Sequence, residues 1–349
     1  IFQKLYEEQR HPEALSSYRA LEQLDKKTGS TLATQNLLTL YRLFQGPIAT
    51  TLDNKREPFL PVDPSKPGKN MYPWGITKEA IDQKHEDLLH LRTVVRSATA
   101  RNIQEDIAKL NKYPVLQTLH PKLLPELKRL QPGANNAVYS VPYSVAYADD
   151  LIKAYGLLNE AADAVEKDDD EFARYLRNRA RDLLSNDYES GDASWITGRF
   201  KNLNAQIGSY ETYDDELFGV KTFFSFCLLK TRPEETVALR QAMKGIQALE
   251  DSLPYKNHKK VREDIPVGVY DVVADFGQSR GGNTATILPN ESYLARRYGR
   301  TILLRANIMR DPNIFEGVSR TLSAAIGEQQ AKELTPDGNF YRTLWHEVG

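Results

Sequence analysis

The chain has 349 residues, 40% of them apolar and 27% charged, and a net charge of −1. That balance suits a globular protein with a full core and gives no global pull toward nucleic acid, and no run approaches the ~18 consecutive apolar residues of a membrane span. The single cysteine, Cys227, excludes an internal disulfide framework and a multi-thiolate zinc site, so a metal would need His and carboxylate ligands.

The first third reads as helix. Phe2, Leu5 and Tyr6, then Leu15, Tyr18, Leu21 and Leu24, then Leu37, Leu40, Tyr41 and Phe44 recur at helical spacing, and Gly46-Pro47 ends the run. Residues 57–75 carry five prolines and predict an extended surface connection. Thr77 is placed to cap a helix beginning at Lys78. Helical patterns continue to Leu130, interrupted at Pro114, Pro121 and Pro125. After a turn cluster at 131–136 come two amphipathic helices, 144–165 and 168–184. The second opens on Asp168-Asp169-Asp170-Glu171, where the helix dipole favours negative charge.

From Trp195 the period changes. Residues 195–197, 218–229, 267–276, 284–288 and 301–308 are rich in aromatic and β-branched types and predict a small sheet or barrel. A helical insert, 234–249, precedes the third of these, and helix resumes after Asp311-Pro312. The class is α+β, helix-rich with one β-module. The glycine-rich stretch 277–283 lacks the Gly-Lys-Ser/Thr ending of a phosphate loop and reads as a strand connection. The basic stretch 256–262 runs straight into Glu263-Asp264 and reads as a solvated loop.

Two stretches raise metal chemistry. In a His-Glu-x-x-His helix the histidines sit roughly 40° apart around the axis, so both reach one ion, and the Glu is left to take a proton from water. After His85-Glu86 the next histidine is His90, five positions on from the first, which sets the two rings about 140° apart. Leu88, Leu89 and Leu91 packing inward account for that stretch without a metal. His346-Glu347 ends a helix in which Phe340, Leu344 and Val348 repeat at helical spacing. A second histidine of this row would follow Gly349. From these residues alone, His346 is either a zinc ligand or an unliganded surface residue.

The stretch 207–219, Ile-Gly-Ser-Tyr-Glu-Thr-Tyr-Asp-Asp-Glu-Leu-Phe-Gly, resembles a signature of the dipeptidyl peptidase III family: Glu-Thr-Tyr, acidic residues, then Phe-Gly. Ile287-Leu288-Pro289-Asn290 resembles the family's Pro-Asn element, and the zinc helix follows both, in the order Glu211, Asn290, His346. Phe276-Gly277-Gln278 and Tyr298-Gly299-Arg300-Thr301 resemble divergent, bacterial-type members. The resemblance runs from about Trp195 onward.

It implies a helix-rich two-lobe architecture, with the β-module in one lobe (1–231 and 267–315) and a helical zinc lobe (232–266 and 316–349). It also implies a monomeric zinc-dependent exopeptidase that releases dipeptides from the amino end of an oligopeptide. On that pattern His346 ligates Zn2+ and Glu347 is general base on the zinc-bound water. Glu211 pairs with the substrate's amino group, Tyr213 donates to the developing oxyanion and Asn290 bonds the substrate backbone. Read without the family, Glu211 is a rim salt bridge, Tyr213 an aromatic packed on the β-module and Asn290 a turn residue. Asp214 and Asp215 read as structural or solvated.

The family motif is usually His-Glu-x-x-Gly-His, whereas here Gly349 directly follows Val348. Ile287 also stands where the family commonly has a further Asn. The third zinc ligand, a Glu on a later helix in the family, lies beyond Gly349. Two rivals remain open: a non-catalytic peptide-binding protein on the same scaffold, and a zinc hydrolase with a non-peptide substrate. No signal peptide is visible, although a chain beginning at Ile1 is expected to have lost its natural start, so the compartment is open with the cytoplasm favoured. No nucleic-acid or membrane partner is expected.

Overall fold

The amino-terminal apolar repeats fold as helices Phe2–Arg10, Ala14–Thr28 and Leu32–Phe44, each burying one face. The third starts at Thr31, whose side chain accepts from the Thr34 N–H. The structure is a computed structural model and describes residues 1–81, 88–133, 137–261, 266–280 and 284–348. The short helix Lys78–Ile81 begins directly after Thr77. His85 and Glu86 lie outside the described residues. The paired helices Ala148–Val165 and Asp170–Ser185 match the two amphipathic patterns, and Asp169 caps the second by accepting from the Phe172 N–H.

Strands β1 (Ile48–Thr50) and β2 (Arg56–Pro58) form a hairpin at the entry to the proline-rich connection. β3 (Thr93–Ser97) pairs antiparallel with β4 (Val138–Pro142). β3 interrupts a region read as continuous helix; the β-branched run Thr93-Val94-Val95 is what favours strand there.

β5 (Leu203–Glu211), β6 (Phe223–Thr231), β7 (Val267–Gly277), β8 (Ala285–Leu288) and β9 (Thr301–Arg305) make the main sheet, in the order β5-β6-β7-β9-β8. Only β7 and β9 run parallel. The strand expected at 195–197 is instead the last turn of helix Glu189–Thr197. Buried Trp195 donates its indole N–H to Asn204 Oδ1 at 2.8 Å, so its aromatic character serves packing on β5 rather than strand membership.

The sheet is not flat. β5 and β8 are its two edges, and four strand spacings would hold flat edges ~19 Å apart. Yet Arg92 bonds both the Ser209 carbonyl near the end of β5, at 3.1 Å, and Glu291, three residues past β8, at 2.9 Å. Arg305 of β9 also reaches Gln206 of β5 at 3.3 Å across the interior. Both contacts require the sheet to curl into a half-barrel, which is the observed form.

One apolar cluster joins the first helix, the 148–185 helix pair and the inner face of β5 and β6. A second, smaller one joins Leu239, Met243 and Ile246 with Val267, Val269, Ile302, Leu304, Phe340 and Leu344. It draws residues from both sets of segments assigned above to the two lobes. Of the described residues 53% are helical, and the fold has the α+β, two-lobe form expected of it. No described helix is long and apolar enough to cross a membrane.

Candidate functional site

Glu211 owes its placement to an irregularity. The β5–β6 register shifts between Ser209 and Glu211, a bulge that re-aims the side chain after it. Gly208, just before, has φ of 137°, and a Cβ on it would lie 2.6 Å from the Tyr188 ring. Tyr210 turns inward and donates to Asp192 Oδ1 at 2.6 Å. Glu211 is left half-buried at the strand's end. Burial is the main cause holding its carboxyl above the usual value; the Asn290 side chain and Arg305 act against this, and Glu347 adds to it.

The residues after Glu211 form a loop wound around a buried carboxylate. Asp215 accepts from the Tyr72 hydroxyl (2.9 Å) and from the N–H groups of Leu217, Phe218, Val220 and Lys221 (2.8–3.1 Å). Asp214 accepts from the Tyr6 hydroxyl at 2.8 Å and from Gln278 Nε2 at 3.2 Å. Both acids are therefore structural. Their anchoring leaves Tyr213, 77% exposed, projecting from a rigid turn. The Glu211 carboxylate, then burial and Glu347, raise the Tyr213 phenol above its usual value.

Lys221 fixes the loop's far end. Its ammonium donates to the carbonyls of Leu88 (2.6 Å) and His90 (2.8 Å) and to Thr93 Oγ1 (2.8 Å). Burial pushes its pKa down to about 7, against the opposing pull of Asp215.

On the other edge, β8 ends in the cis peptide Leu288-Pro289, followed by Asn290, Glu291 and helix Ser292–Tyr298. Glu291 is gripped by Arg92, whose Nη2 lies 2.9 Å from Glu291 Oε1 while its Nε donates to the Ser209 carbonyl at 3.1 Å. The guanidinium is buried and lies 3.8 Å from the Tyr188 ring centroid. Glu189 holds the same helix from outside through Arg297 (3.0 Å) and Tyr298 (2.9 Å). Sequence reasoning missed Arg92 and Glu291, and no local signal marks them: one is a lone arginine before a β-branched run, the other the residue after a Pro-Asn pair.

The fourth wall is helix Pro336–Val348, which buries Phe340 and Leu344 and packs against β8. Glu347, half-buried on its last turn, has its carboxyl raised by burial, opposed by adjacent His346. A cavity of about 910 Å³ opens beside it, lined by Ile246, Leu253, Tyr255, Ile287 and Trp345 among others.

Glu347, far away in the chain, lies within electrostatic reach of both Glu211 and Tyr213, and the Asn290 side chain within reach of Glu211. His346 stands exposed next to Glu347. Among the described residues no group of three or more His, Cys, Asp or Glu could hold a metal. One imidazole is too small a donor set for zinc, so the residues present do not by themselves fit the ion.

No family model matches the chain. Solved structures share its fold, among them two of dipeptidyl peptidase III. Dipeptidyl peptidase III from Caldithrix abyssi superposes with a TM-score of 0.76 at 22% identity, over 99% of this chain and 60% of that one. Dipeptidyl peptidase III from Corallococcus sp. strain EGB gives 0.74 at 22% identity, over 99% and 58%. A curated relative, Nudix hydrolase 3 of Arabidopsis thaliana, is 28% identical over 297 residues, 80% of this chain and 35% of that protein. The chain therefore spans about three fifths of the similar structures and about a third of the plant protein. Its fold is that of the dipeptidyl peptidase III structures. The plant protein's name is that of another hydrolase and does not say which part of that protein it describes.

Proposed function

We propose that this chain belongs to a zinc-dependent exopeptidase that removes dipeptides from the amino end of oligopeptides. The observation that carries the reading is the fold shared with the dipeptidyl peptidase III structures, and the electrostatic reach of Glu347 and Asn290 to Glu211 agrees with it. Zinc is the cofactor implied by the family resemblance, with His346 as one of its ligands; the rest of its donor set is not found among the described residues.

The chain's own residues supply the rest. Glu211 receives the substrate's ammonium group, and the carboxylate that burial disfavours is stabilised when that cation arrives. Asn290 orients Glu211 and bonds the peptide backbone. Tyr213 donates its hydroxyl to the oxygen that gains charge as water adds to the carbonyl. Glu347 takes that water's proton and passes it to the leaving amine as the C–N bond breaks; a carboxyl raised above its usual value suits a general base.

The test is zinc content and dipeptide release by the full-length protein on short peptides with free or acetylated amino ends. Bound zinc, release only from free amino ends and a fall in kcat of at least ~100-fold in Glu347→Gln are expected. Binding of peptides without cleavage would replace this reading with a non-catalytic peptide-binding protein.

A further inference from the structure

Among the described residues no backbone ladder joins β5 to β8, so the half-barrel has an open seam. Arg92 spans it. The guanidinium Nε bonds the carbonyl of Ser209 on one edge, two residues before Glu211. Its Nη2 bonds the carboxylate of Glu291 on the other edge, the residue after Asn290. The planar fork holds both acceptors at a fixed separation, which a flexible ammonium does not do.

Arg92 is itself held from every side. Its carbonyl accepts from the Tyr143 N–H at 3.0 Å and from Asn186 Nδ2 at 2.9 Å. Its guanidinium lies on Tyr188, and that ring reaches it only because Gly208 lacks a side chain. The two residues it bonds, Ser209 and Glu291, stand two residues and one residue from Glu211 and Asn290, which are assigned above to the substrate's amino end.

We infer that Arg92 is a positioning residue that closes the seam and sets the Glu211–Asn290 spacing on which capture of a peptide's free amino group depends. It touches no substrate and acts through its two neighbours. This inference rests on the exopeptidase reading.

The experiment compares wild type, Arg92→Gln, Glu291→Gln and the double variant as full-length, zinc-supplied proteins. It measures kcat, KM and melting temperature on a tetrapeptide with a free amino end and on its acetylated counterpart. The expected result is a KM for the free peptide raised at least ~10-fold, as misplaced binding groups produce, with kcat held within about 3-fold. The preference for the free over the acetylated peptide falls by the same factor, and the double variant is no worse than the worse single, because both cut one linkage.

A lowered melting temperature with KM and the free-amine preference unchanged would overturn the inference, since that is what mere fold support gives. Glu291→Gln decides the matter alone if Arg92→Gln does not fold, because the Glu291 side chain reaches the surface. A wild type that releases no dipeptide and ignores acetylation overturns the exopeptidase reading and this inference with it. An active wild type whose variants keep their KM overturns this inference alone.

Discussion

Glu211 carries opposing demands: it must be ionised to hold an ammonium group, yet burial holds its carboxyl above the usual value. Capture of the amino end is therefore lost as pH falls through that raised value, and is present above it until the substrate's own amine deprotonates near pH ~8. KM for free-amine peptides should rise on both sides of this window. The Asn290 amide is the largest influence pulling the Glu211 carboxyl back down. Asn290→Ala should accordingly move the acid limb of the KM profile to higher pH. A profile recorded from pH 4 to 9 checks this, and an acid limb unmoved in the variant would remove Asn290 from the pairing.

The bulged end of β5 makes Gly208 the sensitive point among the elements. At φ 137° any side chain is strained, and a Cβ 2.6 Å from Tyr188 must displace that ring. Gly208→Ala should cost about 1–3 kcal/mol of stability, read in a denaturant titration; a midpoint equal to wild type would show that Tyr188 can yield freely. Elements were legible where one period dominates: the amphipathic helices and strands 223–231, 267–277, 285–288 and 301–305 all lie within or close to their expected ranges. They were illegible where a side chain's role changed its meaning. Trp195 reads as a strand residue because aromatics favour sheets, but it packs on one from a helix. β5 reads as a motif and not as a strand, since Asn204, Gln206, Gly208 and Ser209 break the apolar pattern; their polar groups find partners in Trp195 and Tyr270 (Asn204), Arg305 (Gln206) and Thr222 (Ser209).

At the scale of the molecule, the order Glu211, Asn290, His346 is readable as family-like, but the approach of the strand ends that carry Glu211 and Asn290 is not. It depends on a sheet curling until its edges meet, and no spacing along the chain encodes that distance. The open seam has a further consequence. Strands inside a sheet are released only when ladders on both sides break, whereas an edge closed by side chains is released when those few bonds let go. Deuterium uptake should therefore be slowest in β6, β7 and β9 and faster in β5 and β8, and Glu291→Gln should quicken the two edges while leaving β7 unchanged. Equal protection across all five strands would mean that the seam does not open by itself. The curled sheet then behaves less as a closed ring than as a spring clip: its grip at the mouth is set by a buckle, and its stiffness by the three strands behind.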